Sequence, residues 1–493
     1  MITFGSLLKN ILLSCVGIFI SISALAQTWK ELNSEVVELY RKGDYEKAIP
    51  FGEKAIIAAQ KEFGQEHSSY ATSLNNLALL YQNMGRYEKA EPLYVEAMAI
   101  RKRVLGHNHP DYANSLNNLA WLYESMVRYE KAEPLYAEAM AIQKKALGDN
   151  HPRYASSLNN LALLYARMGW YEKAKPLLVA ALEIRKKILG ESHPDYATSL
   201  NNLALLYQNM GWYEKAEPLY VEAMAIRKRV LGDNHPDYAN SLNNLAGLYK
   251  SMGLYEKAEP LYVEAMAIRK RVLGHNHPDY TTSLNNLGAL YQYMGRYEKA
   301  ELLYVEAMAI RKKILGESHP SYATSLNNLA ELYESMGLYE KAEALFVDAL
   351  AIKKKVLGES HPSYATSLNN LAALYISIGR YEKAEPLYVE AIAIRKKVLS
   401  ESHPDYATSL NNMALLYAGM GRYEKAEPLF VEAKTIRKKV LGESHPDYAN
   451  SLNNLAFLYQ SMARYEKAEP LYVDAMAIRK KVLGEYIPAM LPA

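Results

Sequence analysis

The sequence predicts an all-α fold, a solenoid of about eleven antiparallel helix pairs. The first observation is a repeat: the dipeptide Asn-Asn recurs every 42 residues, ten times from Asn75 to Asn453. A period of 20 to 50 residues is typical of solenoids, propellers and arrays. The second observation is that apolar residues recur with helical spacing inside each copy. The third is that no segment alternates with the period of two that is typical of strands.

Each copy contains two predicted helices. In the first copy, residues 70–84 place their apolar side chains on one side of a helix,, and Gly85 suits the left-handed position that closes a helix. A second helix is predicted over residues 88–105, because Ala90, Leu93, Tyr94, Ala97 and Val104 fall on its inner side,. Pro92 lies near its first turn, where a missing N–H costs least,. One such pair cannot bury its apolar faces alone, so the pairs are expected to stack on their neighbours.

A family resemblance is carried by Asn76, Leu77, Ala78, Tyr81, Gly85, Tyr87, Ala90, Tyr94 and Ala97. In order and spacing these residues look like the tetratricopeptide signature, and the 42-residue length resembles the kinesin light chain variety of that repeat. The resemblance covers residues 68–484 ten times over, and residues 27–67 resemble a degenerate eleventh copy that serves as a cap,. It implies a right-handed superhelix whose first helices line a concave, peptide-binding surface.

The amino terminus has the pattern of a secretory signal. Lys9 precedes an apolar run over residues 11–22, and Ala24-Leu25-Ala26 has the form of a cleavage site,. We therefore expect an exported protein, periplasmic or secreted, that begins at Gln27 and keeps no stable membrane span. An uncleaved anchor and a lipoprotein attached at Cys15 are the alternatives. Residues 485–493 are expected to form a short tail without a catalytic domain.

Composition and motifs argue against catalysis and against cofactors. Cys15 is the only cysteine, and the net charge of +3 on 493 residues argues against nucleic acid as the main partner. The basic triplets, such as residues 101–103, would form a ladder along one edge, where cations near a helix C-terminus are favourable in any case,. The sequence contains neither a phosphate-binding loop nor a nucleophile elbow,.

Histidine, serine and aspartate recur together, as in His193, Asp195 and Ser199. Asp and Ser just before a helix are good caps, which explains this pattern better than ten identical active sites do. The histidines of neighbouring copies are expected about one or two helix spacings apart, roughly 8–10 Å each. Two ligands of one zinc each need a bond of about 2 Å, so neighbouring copies cannot share an ion through these histidines alone. We therefore predict no metal site.

Differences between the copies indicate candidate binding residues. Residues at equivalent positions form a column, named here by its first member. The Leu77, Ala78, Tyr81 and Ala90 columns hardly change, whereas the Leu79, Gln82 and Asn83 columns vary, and on a helical projection these three share one side,. The conserved asparagine pair flanks that side. Asparagine can hydrogen-bond a peptide backbone at both C=O and N–H, while varied residues would select its side chains.

The predicted peptide-binding residues therefore comprise the asparagine pairs and the distinctive members of the varied columns. They are Asn75, Asn76, Asn117, Asn118, Asn159, Asn160, Asn201, Asn202, Asn243, Asn244, Asn285, Asn286, Asn327, Asn328, Asn369, Asn370, Asn411, Asn412, Asn453 and Asn454, with Trp121, Arg167, Lys250, Glu331, Glu334, Ile376, Leu415 and Phe457. The alternative is drift on a solvated surface.

Two functions fit this pattern. The first is a protein–protein interaction scaffold that binds a protein or peptide segment in the groove of the solenoid. The second is a regulatory or sensor array for a catalytic partner, such as a CHAT-type protease or a kinase, that is encoded separately or lost from the C-terminus.

Overall fold

The structure, a computed structural model, describes residues 27–483; the signal-like segment and the C-terminal tail lie outside these residues. Within residues 27–483 the chain forms 22 α-helices and no strand. The helices are α1 Trp29–Arg41, α2 Tyr45–Phe63, α3 Ser68–Asn83, α4 Tyr87–Leu105, α5 Pro110–Ser125, α6 Tyr129–Leu147, α7 Pro152–Arg167, α8 Tyr171–Leu189, α9 Pro194–Asn209, α10 Tyr213–Leu231, α11 Pro236–Ser251, α12 Tyr255–Leu273, α13 Pro278–Tyr293, α14 Tyr297–Leu315, α15 Pro320–Ser335, α16 Tyr339–Leu357, α17 Pro362–Ser377, α18 Tyr381–Leu399, α19 Pro404–Gly419, α20 Tyr423–Leu441, α21 Pro446–Ser461 and α22 Tyr465–Leu483.

The chain divides into two compact units, with the boundary between Val104 and Leu105. In the N-terminal unit, α1 packs on α2, and α2 packs on α3. In the C-terminal unit, each helix from α5 to α22 packs on the next, and the first helices of successive pairs also touch. The predicted all-α solenoid of helix pairs is thereby confirmed. We number the ten 42-residue copies as repeats 1 (α3–α4) to 10 (α21–α22).

The core consists of the columns that hardly vary. In repeat 4, for example, Leu203 is 4% exposed and Ala204 and Ala216 are fully buried. The column of Tyr94 is equally buried, with Tyr220 at 1% exposure. These side chains fill the space between the two helices of a repeat and the first helix of the next, which is why a single pair could not hide them.

Each first helix of repeats 2–10 begins at a proline that follows a histidine. The His193 Nδ1 atom accepts a hydrogen bond of 3.1 Å from the backbone N–H of Asp195, and the same arrangement recurs down the column. The histidine is therefore the N-cap, where the sequence analysis had assigned capping to Asp and Ser. Its Nδ1 must be unprotonated to accept this bond.

Buried arginines join repeats 3–5, 8 and 9 to the next repeat. The Arg185 Nη1 atom donates to Ser199 Oγ in the following first helix (2.8 Å), and its Nη2 donates to Ser156 Oγ in its own repeat (3.0 Å). Arg185 is 6% exposed, and Arg227, Arg269, Arg395 and Arg437 repeat the arrangement. These five side chains are therefore not part of the surface ladder expected from the basic triplets. The next lysine is exposed and pairs locally, as Lys186 does with Glu191.

Within residues 27–483, three non-glycine residues have positive φ. Val127 (56°) and Ala463 (55°) occupy the Gly85 column, and Ser400 (83°) occupies the column of Gly358, which closes each second helix. At Ser400 the ψ of 159° places the backbone in a region that is essentially restricted to glycine,. At Gly358 and Gly442 an added Cβ would meet nothing within 4 Å, so the cost in this column is conformational and not steric.

We predict that Ser400→Gly stabilises the C-terminal unit by about 1–2 kcal/mol, because it removes this backbone strain. The matched control is Gly358→Ser in the preceding repeat, which should destabilise by a similar amount. Hydrogen exchange in repeats 7–9, together with urea unfolding followed by circular dichroism, measures both. Changes of the same sign in the two variants would contradict this explanation.

Candidate binding surface of the first helices

The predicted site residues lie on one side of the first helices, which we call the first-helix face: the asparagine pair and the Leu79, Gln82 and Asn83 columns. The columns differ in exposure. In the Leu79 column Trp121 and Leu205 are each 39% exposed, Leu415 is 38% and Phe457 is 53% exposed. The Leu79 column therefore forms the accessible centre of the face.

The asparagine pairs form a ladder from repeat to repeat. The second asparagine of one repeat donates its Nδ2 to Oδ1 of the first asparagine in the preceding repeat. Examples are Asn202 to Asn159 (2.7 Å) and Asn244 to Asn201 (2.9 Å). Other rungs join Asn286 to Asn243, Asn328 to Asn285 and Asn454 to Asn411.

The two asparagines of a pair therefore have different roles. The first is buried in Asn159, Asn201, Asn285, Asn327, Asn369 and Asn411, whereas the second is half-buried throughout. Sequence reasoning treated them alike, because a helical projection places both beside the varied columns. In the structure the first asparagine accepts the hydrogen bond between repeats. The second asparagine donates that bond and stays closer to the surface.

Glu331 breaks this ladder. Asn370 of repeat 8 donates its Nδ2 to Glu331 Oε1 of repeat 7 (2.6 Å) and not to Asn327, the first asparagine of that repeat. Asn327 instead donates its own Nδ2 to Ser367 Oγ of repeat 8 (3.0 Å). Water reaches Glu331, yet protein atoms surround it closely, as expected for a side chain in a groove. This burial raises the pKa of Glu331, and the negative charge of Glu334 raises it further.

Lys353 is the charged neighbour of Glu331. It occupies the buried arginine column and is 4% exposed, so burial lowers its pKa to about 8 although Glu331 opposes that shift. Glu334 accepts a hydrogen bond from Ser377 Oγ (2.8 Å), and burial raises its pKa also. Repeat 7 thus holds an acidic spot, Glu331 and Glu334, on the first-helix face.

The Gln82 column mostly serves the second helix of its own repeat. Gln208 Oε1 accepts from the hydroxyl of Tyr220 (3.0 Å), and Glu124 accepts from that of Tyr136 (2.9 Å). Three repeats lack the hydroxyl, because Leu178, Phe346 and Phe430 stand in the tyrosine column. In two of them the residue of the Gln82 column is alanine (Ala166 and Ala418), and in the third it is Glu334. Part of the variation in the Gln82 column therefore matches an internal partner, whereas the sequence analysis attributed this variation to ligand selection.

Three further predicted residues have internal contacts. Arg167 Nε lies 2.6 Å from Oε1 of the buried Glu124, the Lys250 ammonium lies 5.3 Å from the Tyr293 ring centre, and Ile376 packs against the core of repeats 7–9. Among the described residues, no three His, Cys, Asp or Glu side chains come together in a way that could hold a metal ion. Within residues 27–483 no helix has both the length and the apolarity to cross a bilayer.

A tetratricopeptide repeat model matches the chain at residues 37–102, 69–145, 126–187, 157–211, 195–270, 237–313, 303–355, 321–397 and 405–481. The chain belongs to the tetratricopeptide repeat family. Arrays of this family bind protein partners and are generally non-catalytic scaffolds. None of the curated proteins compared with the chain is significantly similar to it.

Solved structures of such repeats are similar to parts of the chain. BtubC (BKLC) from P. vanneervenii is 25% identical, with 49% of this chain and 91% of that chain covered and a TM-score of 0.37. A Podosopora anserina putative kinesin light chain with nearly identical repeats is 32% identical, with 42% and 97% covered and a TM-score of 0.36. A Rap protein complexed with competence and sporulation factor is 16% identical, with 76% and 99% covered and a TM-score of 0.51, which shows the fold.

The tetratricopeptide repeats of the C-terminal unit also contact one another over a long sequence distance. His403 Nε2 lies 2.9 Å from the backbone oxygen of Arg167, and His445 Nε2 lies 3.2 Å from that of Asn209; each pair is 236 residues apart. We call the capping histidines the histidine edge, and the ends of the first helices with their closing turns the turn edge. The histidine edge of repeats 9 and 10 thus binds the turn edge of repeats 3 and 4.

Glycine makes this close approach possible. A Cβ on Gly169 would lie 3.0 Å from Pro404 Cδ, and one on Gly211 would lie 2.9 Å from both His445 Cδ2 and Pro446 Cδ. In the third contact, between repeats 8 and 2, Val127 stands in place of glycine and lines a cleft with His361. The buried Nε2 of His361 makes no hydrogen bond of normal geometry there, although the Ser125 backbone is near.

We predict that Val127→Gly stabilises the C-terminal unit by about 1 kcal/mol or more, because it relieves a left-handed valine and lets His361 approach the turn. Hydrogen exchange should slow in both repeat 2 and repeat 8. The control is Ala463→Gly, at the same φ but in repeat 10, where added protection should stay local. Protection that rises only in repeat 2 would show that the third contact does not tighten.

The contact between His361 of repeat 8 and the turn of repeat 2 is predicted to weaken in acid. Burial, together with the nearby Lys353, lowers the pKa of His361 from about 6.5 to about 4. The unfolded chain therefore binds more protons between these values, and up to roughly 3 kcal/mol of stability is lost as the pH falls from 6.5 to 4. Hydrogen exchange of α5 and α17, corrected for intrinsic rates, measures this loss.

His361→Asn provides the control for the acid prediction, because asparagine keeps a helix cap but does not titrate. Glu124, Arg167, His403 and Asp405 line the same cleft and remain in the variant. The difference between the native and variant pH profiles therefore isolates His361. Identical profiles would mean that another group causes the loss.

Proposed function

We propose that the first-helix face of the C-terminal unit binds an extended segment of another protein, and that the Leu79 column of repeats 7–10 makes the principal contacts. One observation supports this most strongly. The Leu79 column is exposed in the middle of the face, while the columns on either side are largely occupied by hydrogen bonds between and within repeats. A ligand on this face therefore meets the Leu79 column first.

The chemistry of this column changes along repeats 7–10. Glu331 is acidic and lies beside Glu334 of the Gln82 column, Ala373 is small, and Leu415 and Phe457 are apolar and exposed in consecutive repeats. Single exposed apolar residues are common on protein surfaces, but apolar residues gathered on one face mark interaction sites. We propose a ligand with a basic residue near Glu331 and apolar side chains over Leu415 and Phe457.

The second asparagines supply backbone contacts in this proposal. An amide that donates one N–H to the ladder, as Asn454 does to Asn411, still has a carbonyl oxygen and a second N–H for a ligand. These groups recur at the same interval as the Leu79 column, so they suit an extended chain that presents a backbone amide in every repeat. The signal-like residues 1–26 support a further proposal, that the array acts outside the cytoplasm.

We predict that Leu415→Ala with Phe457→Ala weakens binding of such a segment at least tenfold, because tenfold is about 1.4 kcal/mol and burying one of these side chains contributes about 1.5–3 kcal/mol. The ligand is found by screening a peptide array in which one basic and two apolar positions are varied, and its affinity is then measured by calorimetry. The substitutions should leave the fold intact, because Ala289 and Ala373 occupy this column naturally.

A matched control lies on the second helices. Val431 and Val473 are 37% and 52% exposed, close to the values of Leu415 and Phe457, and Ala137 occupies their column in repeat 2. Val431→Ala with Val473→Ala should leave affinity unchanged. Glu331→Gln with Glu334→Gln should weaken a basic peptide more than its neutral analogue. Equal affinity of the native protein and the Leu415/Phe457 variant would place the ligand elsewhere.

A further inference from the structure

The contact between the two edges leaves copies of both edges unoccupied. The histidines of repeats 9 and 10 are almost buried by it, at 8% exposure for His403 and His445. By contrast, the side chains of His109, His193 and His235, in repeats 2, 4 and 5, are 39%, 42% and 41% exposed. The same structural group is therefore open at one end of the C-terminal unit and covered at the other.

The turn edge shows the opposite distribution. The turns of repeats 3 and 4 have no room for a side chain at Gly169 and Gly211, whereas a Cβ on Gly337, Gly379 or Gly421 would meet nothing within 4 Å. The tyrosine that begins each second helix follows the same trend. Tyr213 beside the occupied turn of repeat 4 is 8% exposed, but Tyr339 is 39% and Tyr465 is 65% exposed.

The open histidine edge repeats the residues of the occupied one: His-Pro-Asp stands there in repeats 2, 4 and 5, as it does at the occupied edge in repeats 9 and 10. The open turns of repeats 8–10 keep the glycine or alanine but not the residue after it, which is Trp170 or Trp212 in the occupied turns of repeats 3 and 4 and arginine in the open ones. Each of these arginines already pairs with a glutamate of the preceding repeat, so the two edges match through the histidine donors and the open backbone of the turns.

We propose that the open histidine edge of repeats 2–5 in one copy of this chain docks on the open turn edge of repeats 7–10 in a second copy. The interface continues the contact that each chain already makes with itself, with His Nε2 donating to the last carbonyls of a first helix. Four histidines of one copy thus face four turns of the other.

Two different surfaces meet in this interface, so it is heterologous. A heterologous contact that does not close on itself adds copies in one direction and produces open chains of subunits. The native protein should therefore form a ladder of oligomers that grows with concentration, without a preferred dimer. Each added copy leaves one histidine edge and one turn edge open.

Sedimentation velocity of the purified protein over a wide concentration range tests the proposal. The variant carries His109→Asp, His151→Asp, His193→Asp and His235→Asp. Aspartate is a strong N-cap, so the first helices remain capped, but it cannot donate and brings a negative charge to the negative end of a helix. Association should weaken at least tenfold while the circular dichroism spectrum is retained.

A charge-matched control carries Ala141→Glu, Ala225→Glu, Ala267→Glu and Ala309→Glu. These alanines are exposed on second helices, and Glu183 occupies their column in repeat 3. The control adds the same charge away from both edges and should associate like the native protein. A monomeric native protein would overturn the proposal, as would equal loss of association in the aspartate variant and the control.

Mixing distinguishes head-to-tail chains from other assemblies. The aspartate variant keeps its turn edge, so in excess it should bind the histidine edge of native chains and shorten the oligomers. Oligomers of unchanged size in this mixture would contradict a heterologous interface between the two edges.

Discussion

A buried guanidinium holds repeats 3–6, 8 and 9 of the C-terminal unit each against the next repeat, whereas Gln143 and Lys353 take its place in repeats 2 and 7. Arg185 and its equivalents donate to a serine of the following first helix and to a hydroxyl or amide of their own repeat, and burial lowers their pKa. A charge in such a place is tolerated only when it is hydrogen-bonded, because an unpartnered buried charge is very costly. This requirement aligns successive pairs in one register. The asparagine ladder and the exposed Leu79 column follow from that register.

Sequence reasoning predicted the fold because the fold depends on local signals. One copy already shows the helical periodicity, the glycine after the first helix and the proline near a helix start. The ten copies show the same pattern. The exceptions were predictable for the same reason: Val127 and Ala463 stand in a glycine column, and both have positive φ. Ser400 also stands in a glycine column, the one that closes second helices, so its positive φ was predictable from the sequence in the same way.

The candidate site was less predictable because it depends on contacts between residues that are 39 or more positions apart. A helical projection shows that Asn201 and Asn202 share a side, but not that Asn202 reaches Asn159. The match between Gln208 and Tyr220, or between Ala166 and Leu178, was a signal that sequence comparison could have found, since the two columns change together in repeats 3 and 9. The contact between His403 and Arg167 had no such signal, because the spacing of 236 residues depends on how the pairs accumulate twist.

That contact also changes how the array must fold. Repeat arrays usually behave as one-dimensional chains, in which each unit senses only its neighbours and unfolding can spread from either end. A bond between residues 236 apart closes a long loop, whose entropy must be lost before the bond forms,. The early repeats therefore gain part of their stability only after the late ones are in place. Loss of repeats 8–10 would thus lower the stability of repeats 2–4. The unit should unfold with more cooperativity than its local architecture suggests.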